Sequence, residues 1–233
     1  MRILYSNCLD FYFDQLNTSS CSSNAMTIIL FLLMKKYNIH PFICSRLFMY
    51  YNGREFTKKI DVDEGLTNEA LFYSLRKYGI CPESLCPYDI TKVKEKPKEI
   101  AYEFASRFPV EIYFSEQHLF QGSNWIEFIS KTLLNRQFIL ISIKRDDETS
   151  SSFNPVGAFN TFPIVEHIKY YHHIICIGID TDEKLLYLLN SYGQKNNNVV
   201  TISFHEIEKL NPLEPDLCII DADFSQCKES TYY

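Results

Sequence analysis

Between Ser19 and Tyr37 a polar cluster gives way to an apolar run from Ala25 to Met34 that closes on Lys35 and Lys36. This pattern predicts a buried core helix with an N-cap among the serines and basic residues against the negative end of its dipole. Arg46 to Tyr51 is a second apolar and aromatic stretch, and Asn68 to Tyr78 carries helical spacing through Ala70, Leu71, Leu75 and Tyr78, with Gly79 as its stop. Cys81 to Pro97, punctuated by Pro82, Pro87 and Pro97, reads as a loop connecting two lobes. Beyond it the pattern predicts helices over Glu99 to Arg107 and Trp125 to Leu134, with strands over Val110 to Phe114 and Phe138 to Ile143. After a polar excursion, Lys144 to Phe153, the strongest strand signals are His172 to Ile179 and Lys184 to Leu189, joined by an acidic turn, Asp180 to Glu183. The first half is therefore mostly helical and the second mostly β, with a frayed tail from about 223 to 233.

Composition changes this picture little. The 233 residues, 46% hydrophobic and 22% charged, suit one globular unit made of two lobes, about 16–107 helical and about 108–222 β-rich. A net charge of −6 offers no general attraction to phosphate, and the lysines at 92, 94, 96 and 98 alternate with Glu95 and Glu99, so nucleic acid is not an expected partner. The longest apolar run is far shorter than the roughly 20 residues of a membrane span, so no membrane association is expected. The N-terminus carries no secretion pattern, and the eight cysteines stand singly, without C-x-x-C pairs. Together these favour an intracellular monomer with free thiols, and neither a metal nor a cofactor is expected.

Candidate chemistry gathers at three places. Cys21 falls at the first turn of the predicted helix, where backbone N–H groups and the helix dipole favour a thiolate. Gln15 precedes it in a turn-like segment, Asp14 to Ser20, from which its side-chain amide could join the Cys21 N–H as an oxyanion hole. On the strand through Tyr171, His172 and His173 alternate residues share a face and neighbours point to opposite sides, so only one of the two histidines can reach a cleft. The next strand ends at Asn190, whose amide oxygen could accept the imidazole N–H of that histidine and fix its tautomer.

These residues sit in longer stretches that resemble the papain family: Gln15 with Ser20 to Ala25, Ser45 to Asn52, Asp63 to Leu71, Lys77 to Glu83, Pro87 to Asp89, His172 to Asp180 and Asn190 to Gly193. The likeness is strongest to its compact members in bacteria and large DNA viruses and covers roughly residues 8 to 221. It implies an α+β fold of two lobes, helical and β-barrel-like, around an active-site cleft, and a peptidase acting on peptide or protein substrates. Carried over by motif, the nucleophile falls on Cys21, its acid/base partner on His172 (chosen by the spacing to Gly178), the orienting amide on Asn190 and the oxyanion glutamine on Gln15. The substrate-binding positions fall on Gly65, Leu66, Thr67 and Tyr171. The chain departs from the family where Thr18 replaces a disulfide cysteine, Ser19 a glycine, Ser22 a tryptophan and Tyr192 the tryptophan that shields the asparagine. His173 stands where a small residue is usual, and no inhibitory propeptide is expected before Gln15. Two further readings stay open: a catalytically quiet fold that binds peptides or a partner protein, and a hydrolase for another amide or ester, such as an isopeptide or a cell-wall cross-link.

Overall fold

The computed structural model describes residues 1–8, 11–117, 124–145, 170–193, 198–210 and 216–227. The chain divides into two compact units, one of Met1–Asp14 with Phe114–Ile220, the other of Gln15–Tyr113 with Asp221–Tyr233. The first fourteen residues thus belong with the β-rich half, and the proline-punctuated segment read as an inter-lobe connection lies inside the helical unit. The polar excursion after Lys144 lies almost wholly outside the described residues.

The helical unit is built on α1 (Cys21–Lys36), α2 (Arg46–Phe56), α3 (Asn68–Tyr78) and α4 (Glu99–Ala105). Every residue of α1 from Cys21 to Leu30 is buried, which explains why the run from Ala25 onward reads as almost wholly apolar rather than amphipathic. The helix ends in a Schellman arrangement: Asn38 adopts φ +57°, its N–H reaches the Lys35 carbonyl, and the Ile39 N–H reaches that of Met34 at 2.8 Å. The other end differs from expectation. Ser20 occupies the N-cap position but its hydroxyl caps nothing, whereas Ser45 and Thr67 cap α2 and α3 through Phe48 N–H (3.0 Å) and Ala70 N–H (3.2 Å). Arg54 is fully buried, its guanidinium satisfied by the carbonyls of Tyr50, Ile60, Val62 and Val93.

The β-rich unit is an antiparallel array of β1 (Arg2–Leu4), β3 (Phe138–Arg145), β4 (Tyr170–Asp180), β5 (Leu185–Leu189) and β6 (Val199–Ser203), with α5 (Trp125–Leu134) and α6 (Phe204–Leu210). Two further strands, β2 (Glu111–Gln117) and β7 (Asp216–Asp223), are where the chain passes from one unit to the other. Among the described residues the sheet is open, in the order β2-β7-β3-β4-β5-β6, with β1 pairing onto β4. Trp125, Ile129 and Leu133 of α5 and Phe204 and Ile207 of α6 share a core with Ile139, Ile141, Ile174, Cys176, Leu186, Leu188, Val200 and Ile202, one alternating face of four strands. A β-bulge in β4 between Cys176 and Gly178 shifts the pairing with β5. Gly178 is required there because β1 crosses so closely that a Cβ would sit 2.5 Å from the Ile3 carbonyl oxygen. The strand expected from Val110 to Phe114 starts and ends later, and the tail expected to fray holds β7 as far as Asp223 and a buried Phe224 packed at a tilt against Tyr37. Residues 228–233 of that tail lie outside the described residues.

Candidate active site

In the β-rich unit, His172 and Asn190 meet. The strand pairing Ile175 to Leu189 brings the end of β5 alongside the start of β4, and His172 Nε2 lies 2.8 Å from Asn190 Oδ1. Both side chains are buried. The Ser191 backbone N–H also donates to Asn190 Oδ1, at 2.8 Å, which fixes the amide with its oxygen toward the ring. An amide oxygen only accepts, so Nε2 carries the proton and Nδ1 is left as the nitrogen that exchanges one. Tyr192 stacks on the imidazole, with ring centroids 5.1 Å apart and planes 18° from parallel, and holds it from one face. His173 points to the opposite side of β4. Burial, with the neighbouring His172 as a smaller contribution, pushes its pKa from 6.5 down to about 4, so it is neutral at neutral pH.

In the helical unit, Cys21 is the first residue of α1 and is buried. The loop before it is held by hydrogen bonds. Gln15 Nε2 donates to the Thr18 carbonyl at 2.7 Å, and the Thr18 hydroxyl returns to the Gln15 carbonyl at 2.7 Å. The Ser20 hydroxyl lies 2.7 Å from the Thr18 Oγ1 and 2.6 Å from the Tyr88 hydroxyl, which is why it does not cap the helix. None of the eight cysteines forms a disulfide. Burial drives the thiols of Cys44, Cys81 and Cys86 upward, that of Cys176 to about 12 and that of Cys227 to about 11. These five are inert packing groups at neutral pH.

No family model matches the chain. It is 30% identical over 188 residues to an uncharacterised peptidase C1-like protein of Acanthamoeba polyphaga mimivirus, a match covering 78% of this chain and 60% of that one. The chain thus spans less than two thirds of the length of its viral relative. Among solved structures, xylellain, a cysteine protease from Xylella fastidiosa, superposes with a TM-score of 0.73 at 20% identity, over 94% of this chain and 85% of that one. Procathepsin L 3 from the larval midgut of Tenebrio molitor follows with a TM-score of 0.64 at 11% identity, over 94% and 69%. The fold is papain-like. Among the described residues no helix is long and apolar enough to cross a membrane, and no cluster of metal-ligating side chains is present.

The remaining positions expected of a papain-like chain lie on the loop before α3. Gly65 adopts φ +88°, a conformation that side chains resist, and a Cβ there would stand 3.3 Å from the Ser19 carbonyl oxygen. Leu66 is buried, and the Thr67 hydroxyl is engaged as the α3 cap. Two residues that sequence reasoning left without a role hold this loop against the one before Cys21. The Tyr50 hydroxyl donates to the Asp63 carboxylate and accepts the Gly65 N–H at 3.3 Å. Both Asp63 carboxylate oxygens accept the Ser19 N–H at 3.1 Å, and the Ser19 hydroxyl donates to the Asp63 carbonyl at 2.9 Å. The serine that replaces the family's glycine is thus turned into the Asp63 loop. Tyr171 has its backbone in β4, paired with Lys144. The signal for Tyr50 and Asp63 was present in the quoted stretches Ser45 to Asn52 and Asp63 to Leu71, but their meeting is a tertiary fact.

Proposed function

We propose that the chain is a cysteine peptidase in which Cys21 is the nucleophile and His172 its acid/base partner. The observation that carries this reading is the His172–Asn190 hydrogen bond, because it sets the tautomer that such a partner needs. The Cys21 thiolate adds to the carbonyl carbon of a peptide bond. Negative charge collects on the carbonyl oxygen, where the Gln15 amide and the Cys21 backbone N–H receive it; each such donor is worth about 10²–10³ in rate. Collapse breaks the C–N bond as His172 Nδ1 delivers its proton to the departing amine, leaving a thioester. Water then attacks the thioester, His172 takes its proton, and the carboxylic product leaves with the thiol regenerated. The Gly65 to Thr67 stretch binds the substrate backbone, and Tyr171 borders the substrate beside His172.

The test is turnover of a fluorogenic peptide library with the Cys21→Ala variant as control. Cleavage that disappears in the variant supports the reading. No cleavage, together with no reaction of Cys21 with an epoxide or vinyl-sulfone thiol probe, would establish the chain as a quiet binding fold.

A further inference from the structure

Tyr88 belongs to a motif, Pro87-Tyr88-Asp89, to which the mechanism above gives no task. Its hydroxyl donates to the Gln15 carbonyl at 3.0 Å and lies 2.8 Å from Thr18 Oγ1 and 2.6 Å from Ser20 Oγ. The Gln15 carbonyl also receives the Thr18 hydroxyl at 2.7 Å and the Thr18 N–H at 3.2 Å. Tyr88 and Thr18 therefore commit their protons to Gln15, and the Ser20 proton is shared between the two oxygens beside it. Three hydroxyls thus close one compact cluster around the backbone of Gln15, the residue proposed above to receive the oxyanion.

The cluster is anchored from behind. The Arg46 guanidinium lies over the Tyr88 ring at 3.8 Å, pairs with Glu83 through Nε at 2.9 Å and Nη2 at 2.5 Å, and donates to Asn24 Oδ1 at 3.0 Å. Asn24 Nδ2 in turn donates to the Ser20 carbonyl at 2.9 Å and to Ser20 Oγ at 3.0 Å. An unbroken chain of polar contacts runs from Glu83 to Gln15, and Ser20, its middle member, is bonded directly to Cys21.

We infer that Tyr88 is a positioning residue for the oxyanion loop: with Thr18 and Ser20 it forms a hydroxyl clasp that holds Gln15 and the Cys21 N–H in register, at the position where the family uses a disulfide. The inference rests on the peptidase reading above. A clasp of hydroxyls needs no oxidant, so the loop keeps its form under reducing conditions. Because an oxyanion hole acts on the transition state, loosening it lowers kcat and leaves KM nearly unchanged. Iodoacetamide alkylation displaces iodide from a saturated carbon and forms no oxyanion, so the clasp should not influence it.

The experiment compares wild type with Tyr88→Phe, which keeps the ring beneath Arg46, and with Thr18→Val and its conservative counterpart Thr18→Ser. Each variant is followed by peptide turnover, by the pH profile of Cys21 alkylation and by hydrogen exchange of the amides from 15 to 21. Expected are a kcat lowered about tenfold by Tyr88→Phe and by Thr18→Val, an unaltered alkylation profile, faster exchange confined to that segment, and recovery in Thr18→Ser. Wild-type kcat in Tyr88→Phe, unchanged exchange from 15 to 21, or alkylation falling in parallel with turnover would overturn the clasp. If the wild type itself turns over no peptide, it is the peptidase reading that fails, and the exchange measurement alone decides whether the clasp exists.

Discussion

Replacing Asn190 by alanine removes the acceptor that faces His172 Nε2, while Tyr192 still stacks on the ring. A hydrogen bond donated by a neutral imidazole contributes about 0.5–1.5 kcal/mol and one donated by a charged imidazolium about 1.5–3 kcal/mol. The bond therefore favours the thiolate–imidazolium pair over the neutral pair by roughly 1–1.5 kcal/mol, close to a factor of ten. The sign follows from which species is stabilised. Losing the acceptor raises the pH at which the thiolate forms, so the acidic limb of the Cys21 alkylation profile should move upward by about one pH unit. Turnover should fall further, by about 10- to 100-fold, since the ring must also hold its direction while it delivers a proton. The assay is iodoacetamide alkylation followed by mass spectrometry across the acidic range, beside kcat on one peptide substrate, with circular dichroism to show that the fold is kept. An Asn190→Ala variant with the wild-type alkylation profile would refute the role assigned to the amide.

Two further outcomes follow from the same coordinates. His173 is buried and its pKa lies at about 4 against 6.5 in the unfolded chain, so between those values the unfolded state binds more protons and stability falls as pH falls. Urea midpoints should show about 2 kcal/mol lost between pH 7 and pH 5 from this group, a loss that His173→Gln should largely abolish; equal acid sensitivity in the two proteins would contradict it. Gly65→Ala forces a side chain into φ +88° against the Ser19 carbonyl and should destabilise the fold by about 1–2 kcal/mol while raising KM for peptides. An unchanged KM would remove Gly65 from the substrate site.

The elements that could be read from sequence are those whose residues are patterned by their own burial. The run of α1 from Ala25 to Met34 is almost wholly apolar because it is buried nearly all round, and α5 and the paired strands β4 and β5 carry long, regular runs. Strands β1, β6 and β7 and helix α6 escaped notice. Three residues such as Arg2–Leu4 carry no period, and their place on β4 depends on a partner far along the chain. The serines before α1 looked like a source of a helix cap because capping is a local rule, but the hydroxyl of Ser20, at the cap position, is taken by Tyr88, 68 residues away. At the site, strand alternation separated His172 from His173, and the spacing of the strands suggested Asn190. That Tyr192 stacks on the imidazole, that His173 is held neutral, and that Tyr50 and Asp63 bind two loops together all depend on tertiary contacts that no local pattern encodes.

The pairing of Cys21 with His172 is tested most directly by iodoacetamide labelling at mildly acidic pH, with the modified cysteine identified by peptide mapping. In the wild type, Cys21 should be labelled fast and well ahead of Cys44, Cys81, Cys86, Cys176 and Cys227, whose thiols burial keeps protonated. His172→Ala should slow that labelling at least tenfold, and His173→Gln should leave it at the wild-type rate. Labelling that slows in His173→Gln and not in His172→Ala, or that is indifferent to both, would contradict the assignment of His172 as the partner of Cys21.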